Sequence, residues 1–289
     1  MADMNIIRIN DFNAPEMDVF ARVTEQQMRK FYEPEEGIFL AESASVILRA
    51  IENGYEPLSV LVETERVDVE AVPVFDAVKE YCGEDKLNSM PVYVADREVV
   101  TGITGHHLVR GLWIAMRRKP EIPVEEFCRD KRHIAVLMDI VNPVNVGAIF
   151  RSAAALGMDG VLLTHKSVDP LTRRVARVSM GTVFQIPWTQ ASLEESEGLG
   201  INRLLNAYGY KTVAMALTDD SISVDSDEIR ANEKVAVLLG TEGTGLDKDV
   251  IAACDYRVKI PMYHGVDSLN VAAASAISFW ELMKEVNND

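Results

Sequence analysis

Apolar residues along the chain fall into two successive alternations of short runs and helix-period stretches. Residues 37–40, 58–62 and 92–94 are short apolar runs, each predicting a strand. Residues 43–52 carry Val46, Ile47, Ala50 and Ile51 at helical spacing and stop near Gly54, and further helical patterns cover 74–81 and 97–101. This small α/β unit closes near 113–116. Pro120 and Pro123 then stand among charged residues, which sets the expected boundaries: a first domain over 1–118, a linker over 119–132 and a second domain over 133–289.

The second alternation opens with an apolar run at 134–141, broken only by Asp139 and suited to a strand covered on both faces. A helix over 148–156 follows, stopped by Gly157. Strands at 160–163, 212–216, 235–239 and 256–260 alternate with helices at 172–180, 194–208, 246–252 and 271–286. That alternation predicts a parallel sheet wrapped by helices, so the fold class is α/β in both parts. In such a sheet ligands collect beyond the carboxyl ends of the strands, which directs attention to the loops found there.

Composition narrows the class. Of 289 residues, 48% are hydrophobic and 26% charged, the balance of a globular protein with real cores. No basic segment followed by an apolar stretch opens the chain, and no apolar run nears the ~20 residues that span a bilayer. The expectation is a cytoplasmic protein without a membrane segment. Cys82, Cys128 and Cys254 share no metal-binding spacing, so they read as reduced thiols and no metal is expected. The net charge of −16 argues against a surface that attracts polyanions everywhere. The charge is uneven, however: residues 1–130 hold 14 Lys and Arg against 25 Asp and Glu. Arg173, Arg174 and Arg177 cluster on a helical pattern, as a local basic face or as an ordinary solvated surface.

Three strand-end loops are unusual. Asn142-Pro-Val-Asn145-Val-Gly147-Ala-Ile-Phe-Arg151 places an Asn suited to an Asx turn ahead of a five-donor guanidinium, although a simple helix start with a surface Arg also accounts for it. Leu239-Gly240-Thr-Glu242-Gly243-Thr-Gly245-Leu246 packs three glycines and a carboxylate into a short turn. Its spacing is neither the dinucleotide nor the P-loop pattern. Ile260-Pro-Met262-Tyr-His-Gly-Val-Asp-Ser268-Leu269-Asn270 leads into an Ala-rich helix, where Ser268 and Asn270 are either helix caps or site residues.

Taken in chain order, these loops resemble the three motifs of the SpoU/TrmH family of RNA ribose 2′-O-methyltransferases, within the SPOUT superfamily, over residues 133–285. The resemblance implies a C-terminal parallel-sheet domain tied in a trefoil knot, an exception to the usual absence of knots. It implies S-adenosylmethionine as cofactor, held by Leu239, Gly240, Ile260, Met262 and Leu269, and a homodimer with the site at the subunit junction. Arg151 becomes the key catalytic residue, either as base or as stabiliser of the developing alkoxide. Asn145 and Glu242 are expected to hold Arg151 in place, and Ser268 and Asn270 to position ribose or donor. Arg173, Arg174 and Arg177 are then expected to face RNA. The N-terminal part resembles the smaller ribosomal-protein-like RNA-binding domain that often precedes this catalytic domain, through residues 37–42 and 91–94. Ribosomal RNA is preferred to transfer RNA as partner on that likeness. The competing readings are a tRNA ribose methyltransferase, a knotted enzyme acting on a base nitrogen, and a non-catalytic RNA-binding or assembly factor on the same fold.

Overall fold

The computed structural model describes residues 4–11, 13–29, 37–104 and 111–284. The chain divides into two compact units: Met1–Pro120 with Leu171–Gln185, and Glu121–Pro170 with Ile186–Asp289.

The first unit is built on a five-stranded sheet. Its strands are β1 (Ile6–Ile9), β2 (Ile38–Glu42), β3 (Pro57–Glu63), β4 (Val92–Ala95) and β5 (Leu112–Arg117), in the order β1-β4-β3-β5-β2. β1, β4 and β3 run parallel, while β5 pairs antiparallel with both β3 and β2. The helix Ala44–Glu52 buries Val46, Ile47, Ala50 and Ile51, the four positions that its spacing selected. β1 went unread because it is only four residues long and Arg8 interrupts its apolar pattern. β5 was read only as the closing of the unit.

Residues 171–185 leave the second unit's sequence neighbourhood and pack in the first. Phe184 packs against Phe39 and Tyr55 at ring-centroid distances of 5.6 and 5.1 Å, tilted to the first and edge-on to the second. Arg49 donates to the Met180 carbonyl. The expected helix here is one turn and a half, Arg173–Val178, its C-cap Ser179 followed by two left-handed residues, Met180 (φ 55°) and Gly181 (φ 80°).

The second unit holds a seven-stranded, wholly parallel sheet. Its strands are β6 (His133–Leu137), β7 (Gly160–Leu163), β8 (Trp188–Gln190), β9 (Lys211–Met215), β10 (Ile222–Ser223), β11 (Val235–Leu239) and β12 (Tyr256–Lys259), in the order β10-β12-β9-β11-β6-β7-β8. Every residue of β7 and β11 is buried, which explains their unbroken apolar sequences. β11 lies centrally, with Val235 opposite both His133 and Lys211. Asp255, just ahead of β12, accepts from the Thr212 N–H and hydroxyl at 2.9 and 2.8 Å and from Lys211 Nζ at 2.8 Å, tying β9 to β12.

Four differences from the sequence expectations concern local elements. The stretch 119–132 contains the helix Val124–Asp130, whose Val124, Phe127 and Cys128 are buried in the second unit's core, where Phe127 covers Gly160. Pro123 stands at the N-cap of this helix, so it marks a helix start instead of a free connection. The expected long helix at 194–208 is two, Leu193–Ser196 and Gly200–Ala207, because Ser192 opens the first with a capping box and the left-handed Gly198 separates them. The helix expected from 148 begins at Pro143. The last helix is Val271–Leu282, and the final positions 285–286 of the expected span lie outside the described residues.

Cys128 and Cys254 are buried and unpaired, and burial pushes the Cys128 thiol up to about 12. Both are core thiols. No helix among the described residues is long and apolar enough to cross a membrane.

Candidate active site

The carboxyl ends of β6, β11 and β12 bring the three unusual loops together. In the first, Asn142 is the N-cap of the helix Pro143–Ala155, its side chain accepting from the Val144 N–H at 2.9 Å. Pro143 fills the first helical position, where no N–H is needed. The Asx turn therefore belongs to Asn142. Asn145 is a buried residue in the helix's first turn, with its amide free for other partners.

Those partners come from the other two loops. Asn145 Nδ2 donates to Glu242 Oε1, and Asn145 Oδ1 accepts from Asn270 Nδ2 at 3.1 Å. Asn270 also caps the helix Val271–Leu282, accepting from the Ala272 N–H at 2.9 Å. Asn270 thus caps the helix through Oδ1 and reaches Asn145 through Nδ2, each atom of one amide serving a different partner. A continuous polar chain, Asn270 to Asn145 to Glu242, links all three loops.

The glycines of the second loop have separate reasons. A Cβ on Gly240 would stand 2.4 Å from backbone atoms of Gly245 and Leu246, so the loop closes on itself only with hydrogen there. That closure is seen in the Gly245 N–H donating to the Thr241 carbonyl at 2.9 Å. Gly243 and Gly245 hold φ of 91° and 69°, in the region that favours glycine.

Around this knot of contacts lies a cleft of about 750 Å³, whose lining includes Leu239, Gly240, Glu242, Ser268, Leu269 and Asn270. It adjoins a smaller cavity of about 150 Å³ lined in part by Ile260, Met262, Ser268 and Leu269. All five residues expected to hold a cofactor line one or both. Ser268 is exposed at the mouth and donates to Asp267 Oδ1 at 3.1 Å. Met215, which ends β9, and Ala216 and Leu217, which follow it, line both cavities and were not expected there from the sequence. They have no glycine or polar signature. Only the adjacency of β9 to both β11 and β12 brings them there.

Arg151 lies on the same helix as Asn145 but on its exposed side, and it has no hydrogen bond or ion pair among the described residues. It follows Val144 by seven residues and so shares that residue's solvent-facing side. Glu242 engages Asn145, not Arg151, so the expected restraint of Arg151 by Asn145 and Glu242 does not occur in this structure.

The basic segment also differs in detail. Arg177 Nη1 pairs with Glu42 Oε1 at 2.9 Å. Arg173 lies 4.8 Å from the Trp113 ring centroid and 3.7 Å from Glu25, whose carboxylate also accepts from the Arg173 N–H. Arg174 is exposed and has no such partner among the described residues. No cluster of three or more potential metal ligands exists among the described residues.

Comparison with known proteins gives consistent results. Residues 132–280 match the model of the SpoU rRNA methylase family. An uncharacterised tRNA/rRNA methyltransferase of Mycobacterium bovis is 31% identical over 279 residues, covering 96% of this chain and 92% of that protein. A crystal structure of an RNA 2′-O ribose methyltransferase superposes with a TM-score of 0.74 at 25% identity, covering 97% and 99% of the two chains. An AdoMet-bound rRNA methyltransferase from Sinorhizobium meliloti shares the fold, with a TM-score of 0.78 at 22% identity and coverage of 98% and 99%.

Proposed function

The chain belongs to the SpoU rRNA methylase family, and on that premise we propose that it transfers a methyl group from S-adenosylmethionine to a ribose 2′-hydroxyl of RNA, with ribosomal RNA as its substrate. The observation that carries this reading is the hydrogen-bonded chain from Asn270 through Asn145 to Glu242 at the edge of a 750 Å³ cleft. The cleft falls within the roughly 300–1,000 Å³ typical of small-molecule sites. Its wall combines backbone of the Gly240 loop with exposed Leu217 and Leu269, which suits a donor having both a hydrogen-bonding heterocycle and apolar parts.

The bound donor supplies an electrophilic methyl on a sulfonium. The protein's tasks are then alignment and management of charge on a weakly acidic hydroxyl. Asn145 fixes Glu242 and Asn270 against each other, so the loops that line the cleft keep one arrangement. Arg151, exposed and without a hydrogen bond or ion pair among the described residues, can meet a nucleic-acid phosphate and the alkoxide that develops on the ribose oxygen. A guanidinium retains its proton at ordinary pH, which favours this electrostatic role over that of a base. The exposed apolar residues Val141, Tyr263 and Val266 support a second copy of the chain covering the site. A knotted path for the C-terminal segment belongs to the same reading; β12 lies beside β9, with β11 and β6 next in order.

Incubation with labelled donor and cellular RNA, followed by ribose-methyl mapping, tests the reading. Incorporation into ribose is expected. Arg151→Ala should abolish it while leaving donor affinity by calorimetry within about twofold; unchanged turnover in the variant overturns the assignment. The net charge of −16, with Arg173 and Arg177 already facing carboxylates, favours one alternative, an RNA-assembly factor without turnover. Donor binding without any transfer to RNA would establish it.

A further inference from the structure

A third cavity, of about 220 Å³, lies on the other side of the loop that walls the donor cleft, and Thr241, Thr244, Gly245 and Leu246 line both. It is formed at the carboxyl ends of β6, β7, β8 and β11, the same edge of the parallel sheet where ligands gather. At that size it is smaller than a typical cofactor site and suits a single ring system. Buried Leu246 and Val250 give it an apolar wall, while Asp139, Lys166, Glu197 and Asp247 give it a polar rim. Flat apolar faces with a polar edge describe a nucleobase. Three carboxylates on the rim turn away a phosphate and accept N–H groups.

Asp139 is held for such a role. It sits at a left-handed φ of 55°, which an Asp tolerates better than most residues. Thr164 fixes it from both sides, its hydroxyl donating to Asp139 Oδ1 at 2.7 Å and accepting from the Asp139 N–H at 2.8 Å. Lys166 Nζ stands 3.9 Å from Asp139 Oδ2, so an anionic acceptor and a cationic donor lie side by side at the rim.

We propose that this cavity receives the base of the target nucleotide, turned out of its stack, and that Asp139 with Lys166 selects guanine. The carboxylate accepts from N1–H and the exocyclic amino group while the ammonium donates to O6. Uracil offers one N–H and cytosine no such donor pair beside an acceptor, so each leaves a rim group unpaired. A base held here keeps its ribose beside the loop shared with the larger cleft, where a methyl donor can be met. The inference rests on the ribose-methylation reading above.

Two measurements test it separately from that reading. In the first, the full chain saturated with S-adenosylhomocysteine is examined by saturation-transfer NMR with guanosine and with uridine. Guanosine should bind at least about tenfold more tightly, the discrimination expected of one good paired contact. Asp139→Asn and Lys166→Ala should each erase the preference; Lys166 is largely exposed, so its loss leaves the fold intact. Equal response to both nucleosides, or a preference that survives both variants, overturns the proposal. In the second, RNA labelled from S-adenosylmethionine is digested to nucleosides. Label in 2′-O-methylguanosine supports it, and ribose label confined to another nucleoside overturns it while leaving the reaction in place. Label on a base, or none, overturns the ribose reading, and the guanosine preference then judges the pocket alone.

Discussion

Asn145 shows how one side chain can join three loops and yet be poorly legible. The sequence marked it as a turn residue, because an Asn ahead of a helix usually bonds its own backbone. The structure gives that task to Asn142 and leaves the Asn145 amide to join Glu242 and Asn270, 97 and 125 positions away. Such partners are set by sheet order, which no local pattern encodes. Arg151 was legible as a chemical group through its motif, but its solvent-facing side of the helix and lack of a restraint were not. Replacing Asn145 with Ala leaves a carboxylate and an amide without their buried partner. The expected cost is about 1–3 kcal/mol of stability and a fall in kcat of at least about tenfold. Denaturant unfolding and steady-state kinetics measure the two; wild-type kcat in a folded variant would remove the polar chain from catalysis.

Elements were readable where burial on both faces or helical periodicity governs them, as in β7, β11 and the helix Ala44–Glu52. Short elements were not: β8 and β10, of three and two residues, exist because a longer neighbour offers them a ladder. The Gly240 loop was visible as a glycine cluster, but the cluster did not reveal that its members do different work. Gly240→Ala forces a methyl into backbone atoms 2.4 Å away and should open the loop, lowering donor affinity more than about tenfold. Gly245→Ala meets open space and only an unfavourable φ, so about 1 kcal/mol of stability is the expected loss. Donor titrations and thermal unfolding of the pair distinguish close approach from backbone strain. Between β9 and β12, burial tends to raise the Asp255 carboxyl, but Lys211 and the Thr212 N–H and hydroxyl outweigh it and hold the pKa below the usual carboxylate value. A depressed folded pKa gives stability that is present above the unfolded value of about 3.9 and lost as pH falls through the folded one. Unfolding free energies of wild type and Asp255→Asn should therefore converge below about pH 4; a constant gap down to strongly acid pH refutes the assignment.

Across the whole molecule, the sequence showed two alternating α/β parts and a negative excess concentrated in the first. It did not show that residues 171–185 belong with the first unit. Aromatic packing of Phe184 on Phe39 and Tyr55, and ion pairs to Glu25 and Glu42, decide that placement across more than a hundred positions. The consequence reaches the problem of an acidic protein that acts on RNA. Arg177 and Arg173 offset negative charge within their own unit, and both are only partly exposed. Arg174 is the member of the cluster left to solvent. Each phosphate neutralised by a protein cation contributes a slope of about 0.7–0.9 to the dependence of log affinity on log salt. Arg174→Ala should accordingly lower the RNA-binding slope by about that amount and leave thermal stability unchanged. Arg177→Ala should instead cost up to about 1 kcal/mol of stability through the lost Glu42 pair, with the slope intact. Binding isotherms across a salt series, run beside thermal unfolding, separate the two. A slope that Arg177→Ala reduces and Arg174→Ala does not would mean that RNA displaces Glu42 from its partner, and the basic helix would then act as a face exposed only on binding.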